Sequence, residues 1–452
     1  MDLFANPLLT DLYQLNMMQS YLEHGMSGTA VFEFFCRKLP PRRNFLMAAG
    51  LAQAVEFLET VRFSAADLDW LRGTGRFSAD FLRYLEGFRF TGDADAMAEG
   101  TVFFPDEPLL RIIAPLPEAQ FMETRLINLM QLQTVVASKA ARMVLAAPNR
   151  TLIDFGLRRA HGAEAGLLAA RAAYIAGFAG TATVLAGKMF GIPIFGTMAH
   201  AFIQAHDDET LAFERFARSR PDNLVLLIDT YDTEAGARKV VALAPRLKAA
   251  GIALRGVRLD SGDLASHARA VRAILDAGGL TEVKIFASGG LDEDRLAAFT
   301  ADGVPIDGFG IGTSLVTSED APALDCAYKL QEYAGIPRRK RSEGKATWPG
   351  RKQVFRRYAD DCTLVSDILT VEGDAQTGEP LLAPVVRAGC RVAPMPTLDA
   401  IRAHAAAQLD RLPAALRRLG GSGTCAVQVA PALRALAEAA DRHTGIGTAG
   451  PA

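Results

Sequence analysis

Short apolar runs alternate with longer helical patterns through the middle of the chain. The apolar runs lie at 151–155, 192–195, 224–229, 254–259, 283–287 and 306–311. Between most of them stand segments rich in Ala, Leu and Arg, such as 234–251 and 263–279, whose apolar residues recur at helical spacing. This alternation predicts an α/β fold with a parallel sheet, closed or open, and helices outside it. Catalytic groups are then expected just after the carboxyl ends of the strands.

The chain on either side of this core has a different pattern. Helical or strand-like periodicity is found at 9–25, 29–39, 107–116 and 398–420. After Thr317 the chain becomes basic and rich in turn residues, and the glycine-rich segments 420–424 and 445–452 are predicted to be mobile. We therefore predict that N- and C-terminal segments flank the α/β core and pack together.

Composition and charge exclude several classes of protein. Of the 452 residues, 50% are hydrophobic and 22% are charged, which is typical of a globular chain with more than one domain. The 49 Lys and Arg residues against 51 Asp and Glu give a net charge of -2, so no global field attracts nucleic acid or anionic lipid. The segment 338–357 holds nine of the Lys and Arg residues, and we interpret it as a solvated face.

The cysteines and the N-terminus predict a reduced, cytoplasmic protein. The five cysteines are odd in number and far apart in sequence, and no pair has the spacing of a zinc or redox motif. They are Cys36, Cys326, Cys362, Cys390 and Cys425. The N-terminus lacks the basic flank and apolar run of a signal peptide. The longest uncharged apolar stretch, between Arg171 and Lys188, is too short to cross a membrane.

Glycine-rich turns follow the last two apolar runs, at 286–293 and 308–315. Glycine lets the backbone approach an anion closely, and the exposed N–H groups of such a turn can hold a phosphate. One glycine-rich turn is weak evidence, because many are only tight turns. Two in succession after the final strands of a barrel are stronger, because barrels commonly bind phosphate there.

Four acidic residues lie at the ends of two other apolar runs. Asp229 and Asp232 are at the end of 224–229, and Asp260 and Asp263 follow 254–259. Paired acids near phosphates suit Mg²⁺ or ribose hydroxyls. The alternative is helix capping, with Ser261 as N-cap and Asp263 in the first turn of one helix. At the other helix, Asp232 or Thr233 would be the cap. Capping does not account for the neighbouring Arg258.

A histidine and an arginine pair follow two further runs. His200 comes just after 192–195, although a lone histidine is more often structural than catalytic. Arg158 and Arg159 follow 151–155. Such a pair can bind a carboxylate or phosphate through two hydrogen bonds, or form surface ion pairs.

Taken together, these segments resemble the nicotinate phosphoribosyltransferases from the N-terminus to about residue 360. The stretches that carry the resemblance, specific in their order and spacing, lie at 8–25, 115–142, 154–162, 183–200, 257–264, 309–322 and 340–356. The resemblance implies the type II phosphoribosyltransferase fold, an irregular α/β barrel with an N-terminal sheet domain that C-terminal segments complete. The implied domains are 1–130, 131–325 and 326–452.

The resemblance also implies an activity. Members join nicotinate to PRPP (5-phosphoribosyl 1-diphosphate) with coupled ATP hydrolysis, and yield nicotinate mononucleotide and pyrophosphate for NAD salvage. They use Mg²⁺ and act as homodimers with shared active sites. Tyr13 and Phe155 match the aromatic pair that encloses the pyridine ring, Tyr13 coming from the partner subunit. Arg258 matches the cation that faces the carboxylate, with Thr197 close by.

The remaining carried-over roles concern phosphate, metal and energy coupling. The residues that match the 5′-phosphate and PRPP cradle are Arg158, Ser288, Gly289, Gly290, Gly310, Gly312 and Thr313. Asp229 and Asp260 match ligands of Mg²⁺ or ribose, and His200 matches the histidine that ATP phosphorylates. Two departures touch none of these residues. Ala201 stands where relatives usually have Ser, and 37–51 lacks the glycines that are usual between the basic residue and the helix.

Three alternatives remain. Nicotinamide phosphoribosyltransferase has a GTDTV stretch whose Asp binds the amide, but here Ala182 takes that position, which favours an acid substrate. Quinolinate phosphoribosyltransferase needs a larger basic pocket and is a much shorter chain. A catalytically inactive relative acting as a binding module is disfavoured because every matched position is filled.

Overall fold

The computed structural model describes residues 6–420 and 423–443, which form two compact units. One unit comprises the residues up to Ser138 together with those from Ala323 onward, and the other is Lys139–Pro322. The predicted mobile segment 445–452, and residues 421 and 422 of 420–424, lie outside the described residues. The division into three domains stays a prediction.

Helices and strands alternate irregularly in the N-terminal part and regularly in the middle. The N-terminal elements are α1 (Leu12–Glu23), β1 (Thr29–Cys36), β2 (Leu46–Met47), α2 (Leu51–Thr60), α3 (Ala65–Gly73), α4 (Ala79–Glu86), β3 (Asp93–Met97), β4 (Val102–Phe103), β5 (Pro108–Pro115), α5 (Leu116–Phe121) and α6 (Glu123–Ala146). The middle elements are β6 (Thr151–Asp154), α7 (Ala163–Ala176), β7 (Gly180–Thr181), α8 (Val184–Phe190), α9 (His200–Gln204), α10 (Glu209–Ser219), β8 (Leu224–Leu227), α11 (Thr233–Ala249), β9 (Leu254–Leu259), α12 (Leu264–Ala277), β10 (Lys284–Ser288), α13 (Glu293–Ala301), β11 (Gly308–Ile311) and α14 (Thr313–Val316). The C-terminal elements are β12 (Cys326–Tyr333), β13 (Ile336–Pro337), β14 (Lys352–Tyr358), β15 (Leu364–Val371), β16 (Glu379–Pro380), β17 (Leu382–Arg387), β18 (Cys390–Arg391), α15 (Leu398–Asp410), α16 (Ala414–Arg417), β19 (Ala426–Val429) and α17 (Pro431–His443).

The first unit contains a sheet built from both ends of the chain. Its strand order is β13-β12-β1-β5-β3-β17-β18, so the C-terminal strands complete the N-terminal sheet as predicted. The central strand β1 pairs antiparallel with β5 and β12, placing Phe32 opposite Ile112 and Leu330. Every residue of β1 after Thr29 is buried, which explains why the strand is a nearly continuous apolar run.

Two cations of the basic segment 338–357 are buried, so its interpretation as a solvated face is wrong at these positions. Lys352 is 2% exposed and lies 2.6 Å from Glu33, and the fully buried Arg356 lies 2.6 Å from Asp367. Both cations are on β14, an inner strand of the sheet β16-β14-β15-β19. Burial is tolerated because each cation has a carboxylate partner, a feature that local charge density does not reveal.

The second unit is built around a parallel sheet in the order β7-β6-β11-β10-β9-β8. The sheet curls as an open half-barrel, which agrees with the predicted α/β barrel class. The run at 192–195 is not a strand: only Ile194 makes an isolated bridge, to Thr181. Pro193 lacks a backbone N–H, so this run cannot supply a full ladder, and the short β7 forms the edge instead.

Glycines on two strands of this sheet, β9 and β11, make room for two phenylalanine rings. A Cβ on Gly310 would lie 2.5 Å from the ring of Phe155. Similarly, a Cβ on Gly308 or Gly256 would lie 2.8 or 3.0 Å from the ring of Phe286. These separations are shorter than van der Waals contact, so both rings can take their positions only because glycine has no side chain there.

Candidate functional site

A cavity of about 350 Å³ is lined by residues of the parallel sheet and the segments that follow its strands, among them Phe155, Thr197 and Arg258. Phe155 directly follows β6, and Arg258 is the second-last residue of β9. Strand ends of a parallel sheet meet at one edge, so residues distant in sequence converge there. An aromatic ring, a hydroxyl and a guanidinium are thereby brought to one cavity.

The guanidinium of Arg258 is only partly satisfied by the protein. Its Nη2 donates to the Met198 carbonyl at 3.2 Å, and its Nε is buried with no hydrogen-bond partner within 6–420 and 423–443. Burial lowers the pKa of Arg258 from its usual value, while Asp260 and Asp229 act in the opposite direction. A buried cation with an unused N–H is suited to a carboxylate ligand, because charge-assisted hydrogen bonds are strong.

A second cavity, of about 540 Å³, adjoins the first, because Phe155 and Gly310 line both. It is polar, and its other lining residues are Arg158, Arg159, Asp260, Ser288, Gly289, Gly290, Leu291, Asp292, Gly312, Thr313, Ser314 and Glu319. The structure thus brings together all seven residues predicted for the phosphate cradle. Neither Arg158 nor Arg159 makes an ion pair with any residue that the structure describes.

The turn after β10 requires glycine. Gly289 and Gly290 have φ of 93° and 58°, in the left-handed region, and a Cβ on Gly289 would lie 2.3 Å from the Asp260 carbonyl oxygen. The Ser288 hydroxyl donates a short hydrogen bond to Asp260 Oδ1. This turn therefore connects the polar cavity directly to one of the predicted acids.

Asp229, Asp260 and His200 lie together at the same strand ends. Asp229 Oδ2 accepts hydrogen bonds of 2.7 Å from the Asp260 N–H and the Ser261 hydroxyl. His200 Nε2 lies 4.0 Å from Asp229 Oδ1 and 3.8 Å from Asp260 Oδ2. His200 Nδ1 lies 3.1 Å from Thr230 Oγ1, a contact that the sequence did not predict. The result is an imidazole facing two carboxylates, with its other nitrogen held by a hydroxyl.

The capping alternative accounts for the other two acids. Asp232 is the N-cap of α11 and accepts a backbone N–H at 2.6 Å. Asp263 is the N-cap of α12 and accepts two, at 3.1 and 3.3 Å. The prediction that Ser261 caps this helix is wrong, because the helix begins only at Leu264 and the Ser261 hydroxyl turns to Asp229 instead.

The acid pair fits a divalent cation that also contacts a substrate. No group of three or more His, Cys, Asp or Glu side chains suited to a metal occurs within the described ranges. Mg²⁺, however, usually binds through one or two carboxylates and takes its other ligands from water and phosphates. Asp229 Oδ1 is buried and accepts no hydrogen bond in the described part of the chain, which leaves an oxygen available for such an ion.

Tyr13, the remaining predicted site residue, belongs to the first unit. It lies in the first turn of α1 and its side chain is 46% exposed. Leu9 and Leu12 beside it are also exposed.

None of the helices that the structure describes is long and apolar enough to cross a membrane.

Family models match most of the chain. They describe the N-terminal domain of nicotinate phosphoribosyltransferase (NAPRTase) at 8–131, the NAPRTase family at 151–336 and the NAPRTase C-terminal domain at 373–437. The last match extends the likeness beyond residue 360, where the sequence motifs ended.

Individual relatives agree with these models. Nicotinate phosphoribosyltransferase pncB2 of Mycobacterium tuberculosis is 54% identical over 417 residues, covering 92% of this chain and 89% of the relative. The Bacillus subtilis nicotinate phosphoribosyltransferase is 42% identical, covering 77% of this chain and 72% of the relative. The crystal structure of human nicotinic acid phosphoribosyltransferase superposes with a TM-score of 0.84 at 29% identity, covering 95% of this chain and 99% of that one.

Proposed function

The chain belongs to the nicotinate phosphoribosyltransferase family, and on that premise we propose that it joins nicotinate to PRPP and releases pyrophosphate. The observation that carries the proposal is the partly unsatisfied Arg258 guanidinium beside Phe155, in a cavity adjoining a glycine-rich polar cavity. One cavity suits a flat ring that bears a carboxylate, and the other suits a phosphorylated sugar.

Nicotinate binds with its ring against Phe155 and its carboxylate toward Arg258 and Thr197. Tyr13 of the partner subunit covers the opposite face of the ring. Stacking fixes the ring plane, and the charge-assisted bond fixes its rotation in that plane. The ring nitrogen is then directed toward the sugar bound in the adjoining cavity.

PRPP binds in the polar cavity. Backbone N–H groups of the turns at 288–290 and 310–313 hold the 5′-phosphate, together with Arg158. Asp229 and Asp260 hold Mg²⁺ or the ribose hydroxyls, and bound Mg²⁺ would neutralise charge on the diphosphate. The nicotinate nitrogen forms a bond to C1 of the ribose as the bond from C1 to the diphosphate oxygen breaks. Positioning of the two anions lowers the barrier.

His200 couples this transfer to ATP. When Nδ1–H donates to Thr230 Oγ1, Nε2 keeps its lone pair and can accept the γ-phosphoryl group of ATP. The phosphorylated side chain adds negative charge beside Asp229 and Asp260, so it changes the balance of charge that a bound cation and diphosphate experience.

One parallel assay tests the proposed reaction. Purified protein with PRPP and Mg²⁺ is given nicotinate, nicotinamide or quinolinate, each with and without ATP, and the nucleotide product is quantified. We expect nicotinate mononucleotide, formed faster with ATP. A preference for nicotinamide or quinolinate would replace the proposed substrate, and no product with any of the three would favour a binding module.

We also propose a cytoplasmic homodimer with shared active sites, supported by the exposed Tyr13, Leu9 and Leu12 on the first unit. Complementation tests the sharing. Tyr13→Ala and Arg258→Ala dimers are each expected to be weakly active, whereas subunit exchange between them would create sites with both residues intact. Recovery toward about a quarter of wild-type activity is expected for random exchange. Exchange without recovery would mean that each subunit has a complete site.

A further inference from the structure

Cys36 and Cys326 are 290 positions apart in sequence but are direct neighbours in the first unit. Cys36 ends β1, Cys326 begins β12, and the two residues are opposite each other in the antiparallel ladder. Their sulfur atoms are 2.9 Å apart. Two cysteines that are far apart in sequence are therefore in direct contact in the fold.

The backbone geometry around the pair is that in which a cross-strand disulfide fits. The Arg37 N–H donates to the Asp325 carbonyl at 2.9 Å, and the Cys36 carbonyl accepts from Asp106. Cys36 and Cys326 are therefore a non-hydrogen-bonded pair of the ladder, whose Cα atoms are about 4.5 Å apart. This lies within the usual range of Cα separations in disulfides, about 4.4–6.8 Å.

The two thiols differ in accessibility. Cys36 is fully buried, whereas Cys326 is partly exposed. The hydrogen bond with Cys326 and burial raise the pKa of the Cys36 thiol well above its usual range. Cys326 is therefore the sulfur that meets a reagent from solvent first, and Cys36 is the sulfur positioned to attack it afterwards.

We propose that Cys36 and Cys326 form a reversible redox modification site whose oxidant is hydrogen peroxide. The Cys326 thiol loses its proton and the thiolate attacks one peroxide oxygen; the O–O bond breaks, a sulfenic acid forms, and the departing hydroxide takes up the proton to become water. The Cys36 sulfur then attacks the Cys326 sulfur, the S–O bond breaks and a second water leaves. In total, two thiols and one peroxide give one disulfide and two waters. A dithiol reductant reverses the modification by exchange.

The pair differs from the other cysteines in the oxidation product that it is expected to form. Cys362 and Cys390 are exposed and more accessible than Cys326, yet in the described residues only the Cys36–Cys326 pair has adjacent sulfur atoms. Exposed cysteines without a neighbour proceed to sulfenic or higher acids, whereas the pair is expected to stop at the disulfide. The disulfide would link β1 to β12 and close a long loop, which restricts the unfolded chain.

Peptide mapping tests the proposal on the wild-type protein. The reduced full chain is treated with hydrogen peroxide, its remaining thiols are alkylated, and it is digested without reductant. We expect a linked peptide pair containing Cys36 and Cys326 that dithiothreitol releases. Oxidation of Cys362 or Cys390 with Cys36 and Cys326 still alkylated would overturn the proposal, as would linkage only between other cysteines.

Thermal unfolding provides a second measurement with a matched control. Oxidised wild type and oxidised Cys390→Ser should both unfold at a higher temperature than their reduced forms. Cys326→Ser should show no such increase. An equal increase in Cys326→Ser would assign the effect to another site and contradict the proposal. If Cys326→Ser does not fold, the wild-type peptide map still decides the question.

Discussion

His200 Nδ1 and Thr230 Oγ1 are 3.1 Å apart, and this contact orients the imidazole so that Nε2 faces Asp229 and Asp260. Thr230 directly follows Asp229, so one short segment after β8 supplies both the hydroxyl for one ring nitrogen and a carboxylate near the other. We therefore predict that Thr230 acts through His200 as a positioning residue.

Replacing Thr230 tests this role. Thr230→Val removes the hydroxyl with little change in shape, and we expect ATP stimulation to fall about two- to tenfold, the value of one hydrogen bond. Thr230→Ser keeps a hydroxyl and should keep most of the stimulation. The measurement is the ratio of initial rates with and without ATP. Equal losses in both variants would show that the methyl group, and not the hydrogen bond, matters.

His200→Ala separates transfer from energy coupling. We expect loss of ATP stimulation and of nicotinate-dependent ATP turnover, while slow transfer from PRPP continues because Arg258 and the phosphate cradle are unchanged. Labelling with γ-phosphate-labelled ATP should give an acid-labile, alkali-stable phosphoenzyme in wild type. His206→Ala, on the neighbouring α9–α10 connection, should still be labelled. A labelled His200→Ala enzyme would assign the phosphoryl group elsewhere.

Arg258→Ala should weaken nicotinate binding specifically. Loss of a charge-assisted hydrogen bond of about 1.5–3 kcal/mol predicts an increase in KM for nicotinate of about 10- to 100-fold. Activity with nicotinamide, where measurable, should fall less because the amide carries no charge. Arg238→Ala, which removes an exposed arginine of α11, serves as the control. Equal losses for nicotinate and nicotinamide would mean that Arg258 does not contact the carboxylate.

Gly310→Ala should displace the Phe155 ring. The new methyl would lie 2.5 Å from that ring, so we expect destabilisation of about 1–3 kcal/mol and weaker nicotinate binding. Adding Phe155→Leu should recover stability but not nicotinate affinity, because the smaller side chain relieves the clash without restoring the ring. Gly73→Ala, where the added methyl meets no atom within 4 Å, is the control for unfolding. Unchanged nicotinate binding in Gly310→Ala would show that Phe155 does not contact the nicotinate ring.

Five of the six parallel strands, all except β7, were predictable because each contributes a compact apolar run, as at 224–227 and 308–311. The run at 192–195 misled the prediction because hydrophobicity alone does not register the missing N–H of Pro193. Glycine-rich turns and strand-end acids were recognisable because their chemistry is local. The partners of Thr230 and Ser261 were not, because they lie on other elements and only the fold brings them into contact.

Ala182 offers the sharpest test of substrate choice. It follows β7, its N–H donates to the Asp154 carbonyl at 2.8 Å, and its side chain is exposed, so a larger residue meets no obvious obstacle. The Thr181 hydroxyl and the Gly156 N–H both bind the Asp154 carboxylate, which ties this turn to the segment that carries Phe155. A side chain added at 182 is therefore attached to a well-defined backbone.

Ala182→Asp should lower the preference of the enzyme for nicotinate over nicotinamide. A second carboxylate near the bound one costs at least about 1–2 kcal/mol, so the KM for nicotinate should rise about tenfold or more. The same carboxylate can accept a hydrogen bond from an amide, so the rate with nicotinamide should rise. Ala182→Asn has nearly the same shape without the charge, and it should change the two substrates to a similar extent. The measurement is the ratio of kcat/KM for nicotinate to that for nicotinamide. If Asp and Asn alter this ratio equally, bulk rather than charge at position 182 determines the effect, and the absence of an acid there is not what selects nicotinate.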